Sequence, residues 1–296
     1  MRIAGAVDIG GTRTKIGIVT DDGRIVRRTT IQTSNGGEPR PLVEGIASAL
    51  QRMLNDARLV TGVGISVAGF LDRDHSAMVE NANLPALCGF PLRRALEERV
   101  GHDCRLEVDS NAAVLAEYRF GAGQGASRLL GVTVGTGLGG GVVIDGALLR
   151  YTGECAGDVG HIILDPDGRR CSCGARGCLE ALVCSAALAE RAGTRSAREV
   201  ITSAQKGEPS AMAAIAHIGS YLGLGLGALS PLFAPDTIVV GGGIASAGAL
   251  LLEPVRESFR AHAAPAFRDS VRIVGSTFEG WEGMIGAASL VFDPIE

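Results

Sequence analysis

The same succession of signals occurs twice along this 296-residue chain, and few folds accommodate it. Residues 3–8, 14–20 and 24–31 read as strands joined by a GGTR turn and a DDG turn, and residues 129–135, 140–144 and 147–151 repeat strand, glycine turn, strand, DG turn and strand. DG between β-like runs signals a hairpin, because its glycine takes the positive φ that a tight loop requires. The repetition reads as an internal duplication. In the first half a helix at 41–57, a strand at 59–67, a helix at 91–100 opened by proline, a short buried strand at 105–108 and a helix of good formers at 112–119 follow. In the second half come a long Ala/Gly/Leu helix at 210–229, a strand at 236–240, helix 249–261, strand 271–274 and a closing helix at 281–292. Strands alternating with helices predict an α/β fold of two duplicated domains, each a mixed sheet flanked by helices, with a central cleft between the halves.

Composition narrows the setting. A 46% hydrophobic chain of this length can bury one or two substantial cores. No apolar run reaches the roughly 18 residues that span a bilayer, and the start MRIAGAVDIGG carries no cleavable leader, so a cytoplasmic protein with no membrane partner is expected. A net charge of −4 without clustered Lys and Arg leaves no electrostatic footprint for nucleic acid. An odd cysteine count, seven, with three thiols clustered near a histidine suits a reducing compartment and metal better than a disulfide framework.

That cluster lies in GECAGDVGHIILDPDGRRCSCGARGCLE, as His161, Cys171, Cys173 and Cys178, with Glu180 two residues past the last thiol. Thiolate and neutral imidazole match the softness and tetrahedral preference of Zn²⁺, and a zinc staple would hold Glu180 beside His161 as a polar wall for a small ligand. The alternative is a disulfide or free buried thiols, against which the Cys171-x-Cys173 spacing argues. Cys88, Cys104, Cys155 and Cys184 read as small apolar fillers.

Three glycine loops end strands. In Asp8-Ile9-Gly10-Gly11-Thr12-x-Thr14-Lys15 the bared backbone N–H groups and threonine hydroxyls can receive phosphate oxygens, and Asp8 is placed to hold Mg²⁺. A glycine hairpin of this kind can also be only a turn. The loop 135–141, containing Thr136 and Gly137, is its counterpart in the second half, and Gly241-Gly242-Gly243-Ile244-Ala245 offers flat backbone to an adenine or ribose. None is a P-loop, and no dinucleotide fingerprint with its ribose-binding acid is present, which disfavours a dehydrogenase.

From DIGGTRTKIGIV through VTVGTGLGGGVV and the cysteine segment to VVGGGIA, the chain resembles the ROK family of repressors, open reading frames and sugar kinases, within the actin, Hsp70 and hexokinase-like (ribonuclease H-like) ATPase fold. The resemblance implies ATP phosphates on Gly10, Gly11, Thr12 and the Thr136-Gly137 turn, adenosine on Gly241 to Gly243, and zinc on His161, Cys171, Cys173 and Cys178. It implies a catalytic aspartate at Asp109 in EVDSNAAVLAEYRFG, although an Asp or Ser before a helix can equally be an N-cap. Asp109 would sit at the positive end of that helix, with Asn111 two residues on. Sugar hydroxyls would be held by His161, Glu180, Asp158, Gly69 and Asn83. Departures from the family pattern are Val108 for an asparagine, Asp158 for a glutamate, and Ala68 and Phe70 in the loop ISVAGFLD.

The expected domains are 1–110, completed by a C-terminal helix at 282–296, and 111–281, carrying the zinc loop. The expected function is an ATP- and Mg²⁺-dependent kinase with structural zinc, acting on the primary (6-position) hydroxyl of a hexose or hexose-like ring in a glucokinase-like manner. Valine cannot hydrogen-bond a hydroxyl, so Val108 and the shorter Asp158 favour an altered preference. Alternatives are an amino sugar such as kanosamine or N-acetylmannosamine, or a cyclitol. A non-catalytic sugar-responsive regulator ranks lower, because the first strand begins at Ile3 and leaves no room for a DNA-reading module. The resemblance further implies a homodimer or homotetramer, with the 210–229 helix as core or interface.

Overall fold

The structure, a computed structural model, describes residues 1–33, 37–54, 60–81, 84–150 and 158–292. In chain order it has β1 (Ile3–Ile9), β2 (Arg13–Thr20), β3 (Ile25–Gln32), α1 (Pro39–Leu54), β4 (Val60–Val67), β5 (Phe70–Leu71), β6 (Met78–Glu80), α2 (Leu92–Val100), β7 (Cys104–Val108) and α3 (Asp109–Phe120). There follow β8 (Arg128–Val134), β9 (Leu138–Ile144), β10 (Ala147–Leu148), α4 (Leu179–Val183), α5 (Ser185–Ala192), α6 (Ala197–Gln205), α7 (Pro209–Phe233), β11 (Thr237–Gly241), α8 (Ala249–His262), β12 (Arg272–Gly275) and α9 (Glu282–Phe292).

Two five-stranded sheets carry the duplicated order, β3-β2-β1-β4-β7 and β10-β9-β8-β11-β12. In each, an antiparallel hairpin (β1 with β2, β8 with β9) is extended by parallel strands (β1 with β4 and β4 with β7; β8 with β11 and β11 with β12). At the second DG signal both Asp145 and Gly146 have positive φ, 48° and 88°, the pairing a two-residue hairpin loop demands. The chain divides into two compact units, Met1–Phe120 with Ala147–Ala156 and Trp281–Glu296, and Gly121–Gly146 with Gly157–Gly280. The boundary read at 110 from the sequence therefore falls after α3, which belongs to the first unit.

Period-two alternation explains the first unit. Val7, Ile9, Ile16 and Ile65 point to one face, where they pack with Ile46 and Leu50 of α1 and Leu92 and Leu96 of α2. Ala4, Ala6 and Val19 point to the other, against Met284, Ala288 and Phe292 of α9. That second face is small because α9 comes close. A Cβ on Gly64 of β4 would stand 1.7 Å from the Ala287 carbonyl oxygen, and one on Gly286 of α9 would stand 1.6 Å from that of Ala112 in α3. Any side chain at either position would force α9 away from strand and helix.

In the second unit α7 uses a glycine stripe in the same way. Cβ atoms on Gly219 and Gly223 would meet the carbonyl oxygens of Leu251 and Val255 of α8 at 2.9 and 2.3 Å, so this face of the helix is core. The 25-residue α7 is long and apolar enough by length and composition to cross a bilayer, which corrects the expectation that no such run exists; 56% of its most apolar stretch is buried inside the unit. Three further differences from the sequence reading stand out. Helix α3 begins at Asp109 directly after β7, with no intervening loop. Strand β9 begins at Leu138, two residues before the expected Gly140, so of the loop 135–141 only Gly135 to Gly137 form a turn. The β5–β6 ribbon and the helices α4 to α6 were not foreseen. The expected strand at 147–151 and the helix at 41–57 each run partly outside the described residues.

Candidate active site and Cys/His cluster

In the first unit the chemistry collects at the ends of β1, β2, β4 and β7. Antiparallel register sets Asp8 opposite Lys15, and parallel register sets it opposite Ser66. Lys15 Nζ accordingly donates to Asp8 Oδ2 at 2.9 Å, and Ser66 Oγ donates to Oδ1 at 2.8 Å. Gly283, in the first turn of α9, comes so close that a Cβ there would stand 2.9 Å from the Asp8 carboxyl carbon. Trp281, the only tryptophan, lies under the Arg28 guanidinium at 4.5 Å and the Lys15 ammonium at 5.8 Å from its ring centre. The GGTR turn is closed by the Gly10 N–H donating to Arg13 O, and Thr12 is exposed at its tip.

Thr14 behaves otherwise than expected. Alternation along β2 turns it inward, it is fully buried, and its hydroxyl pairs with that of Thr33 at 2.7 Å, so it is not presented to a phosphate.

Asp109 opens α3, half-buried, with Oδ1 accepting the N–H of Ser110 at 2.8 Å. A capping side chain takes an N–H two or three positions on, so this bond does not make it a cap. Burial first, then the negative charge of Asp8, push its carboxyl up to about 6, against the opposing pull of the Ser110 N–H and the Lys15 charge. Behind it lies a pair the sequence gave no reason to join. Glu107, 1% exposed at the end of β7, accepts Nε and a guanidinium N–H of Arg150 on Oε2 at 3.1 and 2.9 Å. Its Oε1 accepts the Val108 N–H and Asn111 Nδ2, both at 3.0 Å. A glutamate in a short strand expected to be buried was the available signal; its partner 43 residues away was not.

Gly69 has φ +106°, and a Cβ there would stand 2.6 Å from Glu80 O, so its glycine identity answers to the packing of the β5–β6 ribbon as well. Asn83 lies outside the described residues.

In the second unit His161, Cys171, Cys173 and Cys178 each bring one ligand atom to within 4.8 Å of the others. Cys171 Sγ is 3.6 Å from His161 Nδ1, and Cys173 Sγ is 3.6 Å from Cys178 Sγ, far beyond a disulfide bond. Zinc–sulfur bonds of about 2.3 Å arranged tetrahedrally separate two sulfurs by about 3.8 Å, so the donor set and its spacing fit that ion. Backbone geometry builds the knuckle. The Cys171 N–H donates to Ala175 O, the Gly174 N–H returns to Cys171 O, and Gly177 at φ +70° lies so near Asp165 that a Cβ would overlap its carbonyl oxygen. His161 Nε2 lies 3.6 Å from Asp158 Oδ2, on the side of the ring away from Cys171. Burial first raises the Asp158 carboxyl, with Glu180 adding to the rise and His161 opposing it.

Glu180, second residue of α4, reaches the phosphate turn expected from the sequence: Oε2 accepts the Leu138 N–H at 3.0 Å, and Oε1 accepts Ser172 Oγ at 2.9 Å. Of the third glycine loop, Gly241 is buried in β11, while Gly242 has φ +86° and would carry a Cβ 2.5 Å from Val134 O. Only Gly243 faces open space, and its N–H lies 3.8 Å from where a Gly135 Cβ would be, so the two turns adjoin.

The ROK family model matches residues 4–293, and the chain belongs to the ROK family. It is 31% identical to the glucokinase of Thermotoga maritima, over 98% of this chain and 97% of that protein. It is 32% identical to an N-acetylmannosamine kinase of Escherichia coli, over 96% and 97% of the two chains. The crystal structure of a ROK family glucokinase from Streptomyces griseus in complex with glucose and AMPPNP superposes with a TM-score of 0.85 at 32% identity, covering 98% of this chain and 99% of that one. The fold is that of these ROK enzymes, and the chain is an ATP-dependent sugar kinase.

Proposed function

We propose that this enzyme transfers the terminal phosphoryl group of ATP to the primary, 6-position hydroxyl of a hexose or hexose-like ring, with Asp109 as the catalytic base. The observation that carries the reading is the Asp109 carboxyl itself, half-buried at the start of α3 and pushed up to about 6 by burial and by Asp8. Phosphoryl transfer has a loose transition state and demands orientation more than a strong base. A carboxylate poised near neutral accepts the hydroxyl proton as the new O–P bond forms and the bond to the leaving ADP breaks. Asp8 would hold Mg²⁺, which neutralises charge on the phosphates; Lys15 orients the Asp8 carboxylate. Gly10, Gly11, Thr12, Thr136 and Gly137 would hold phosphates, and Gly243, with Gly241 and Gly242 beneath it, the adenosine.

His161, Cys171, Cys173 and Cys178 would hold zinc as a structural ion, since four protein ligands fill its coordination. On the sugar side Asp158, His161, Glu180, Gly69 and Asn83 would contact hydroxyls. Val108 is half-buried beside Asp109 and offers only hydrocarbon there. That departure supports a substrate other than plain glucose, an amino sugar such as kanosamine or N-acetylmannosamine, or a cyclitol; the likeness to an N-acetylmannosamine kinase favours the amino sugar. A cytoplasmic homodimer or homotetramer completes the reading.

Coupled ADP release with a panel of hexoses, amino hexoses and cyclitols tests it. Asp109→Asn should lower kcat by about 10²- to 10⁴-fold with zinc content unchanged. Turnover near wild type in that variant would remove Asp109 from the mechanism.

A further inference from the structure

Glu180 is held from two directions by parts of the second unit that the sequence separates widely. Toward the cluster, its Oε1 accepts the hydroxyl of Ser172, the residue between Cys171 and Cys173, at 2.9 Å, and lies 3.5 Å from Cys171 Sγ. Toward the glycine turn, its Oε2 accepts the N–H of Leu138, the residue after Thr136-Gly137, at 3.0 Å. The junction is tight on every side. A Cβ on Gly137 would stand 2.5 Å from Glu180 Oε2, and one on Gly160 would stand 2.3 Å from Leu138 O and 3.4 Å from Glu180 Cβ. The Ser185 N–H at the start of α5 completes the brace by donating to Gly135 O at 2.7 Å.

We infer that Ser172 and Glu180 are positioning residues that pass the order of the Cys/His cluster to the turn 135–138, so that the cluster governs nucleotide affinity as well as the sugar wall. The inference rests on the reading of that turn as a phosphate site. Backbone donors hold a phosphate tightly only if they are aimed before it arrives, and a carboxylate pinned to Leu138 aims this turn. A carboxylate offers about four lone-pair sites. Leu138, Ser172 and the Cys171 sulfur take one each, which leaves about one for a sugar hydroxyl while Glu180 holds the turn. If Glu180 only favoured the first turn of α4 through the helix dipole, the Ser172 hydroxyl would be dispensable: α4 has five residues and the contact to Leu138 would be incidental.

The test is AMPPNP affinity by calorimetry on zinc-replete protein, with zinc content measured in parallel. Ser172→Ala should weaken AMPPNP about five- to tenfold, the net worth of about one ordinary hydrogen bond, with zinc retained. Ser172→Thr, which keeps the hydroxyl, should return to within about twofold of wild type. Glu180→Ala removes both bonds and should weaken AMPPNP at least as much as Ser172→Ala; it decides the matter should Ser172→Ala lose zinc. Wild-type AMPPNP affinity in Glu180→Ala, or in a zinc-retaining Ser172→Ala, overturns the coupling. Hydrogen exchange of the wild type separates this failure from that of the underlying reading: AMPPNP must protect the amides of residues 135–138, and unprotected amides there would refute the phosphate turn itself.

Discussion

The two units repeat one strand order yet place their chemistry by different means. In the first, register does the work: once β1, β2 and β4 pair, Lys15 and Ser66 have no choice but to flank Asp8, and the direct passage from β7 into α3 puts Asp109 nearby. In the second, the side chains of interest sit on turns, a knuckle and the first turn of α4, and they meet at a Cys/His cluster. A site written into strand pairing is as durable as the sheet. One braced by ligands depends on whatever ion those ligands hold.

The largest effect should come from Asp109→Asn, with its loss of about 10²- to 10⁴-fold in kcat. The same group sets a pH signature. Its carboxyl binds a proton more tightly in the folded protein, at about 6, than in the unfolded chain, so its contribution to stability declines as pH climbs from about 4 to about 6. Above that window Asp109→Asn should melt higher than wild type, and below pH 4 the difference should vanish. Wild-type kcat should fall as pH drops through about 6. A flat profile from pH 5 to pH 8 would contradict the assignment.

Arg150→Met probes the first unit without touching its reacting groups. It strands Glu107, 1% exposed, as a buried unpaired carboxylate. Denaturant unfolding should show a loss of about 3–5 kcal/mol, and a loss below about 0.5 kcal/mol would mean that water reaches Glu107. Chelation or Cys178→Ser tests the contrast directly. Zinc loss should loosen the second unit and raise the sugar KM, whereas the Asp8–Lys15 pair of the first unit should persist, read as unchanged fluorescence of Trp281, which lies beside Lys15. Equal disturbance of both units would erase the distinction. The smallest change should come from Val108→Asn, which restores a hydrogen-bonding side chain beside Asp109. Glucose kcat/KM should improve about tenfold relative to the preferred substrate, and a lower ratio would show that Val108 does not set selectivity.

Much of the architecture was legible because it depends on short-range signals. The doubled hairpins follow from DG turns and alternating apolar residues, and the cysteine cluster from soft ligands crowded into one stretch. Where alternation mattered more than motif, reading by motif failed. Thr14 sits in a phosphate-loop pattern, but its place on β2 sends it into the core to meet Thr33. Leu138 and Gly139 look like loop and are strand, since glycine's absent side chain does not prevent backbone pairing. The partnership of Glu107 with Arg150, and that of Glu180 with Leu138, left no local trace, because each joins residues more than 40 positions apart.

The amino-acid order alone determined the α/β class, the duplication and the residue types that could serve chemistry, since these rest on periodicity, turn preference and side-chain reactivity. Tertiary structure alone decided which of those residues meet. The about-6 carboxyl of Asp109 needs burial and the charge of Asp8 brought in from another strand, and the lodging of α9 needs glycines on a strand and a helix far from each other in the chain. Electrostatic and steric terms fall off over a few ångströms, so they act on neighbours in space, whatever their distance in sequence.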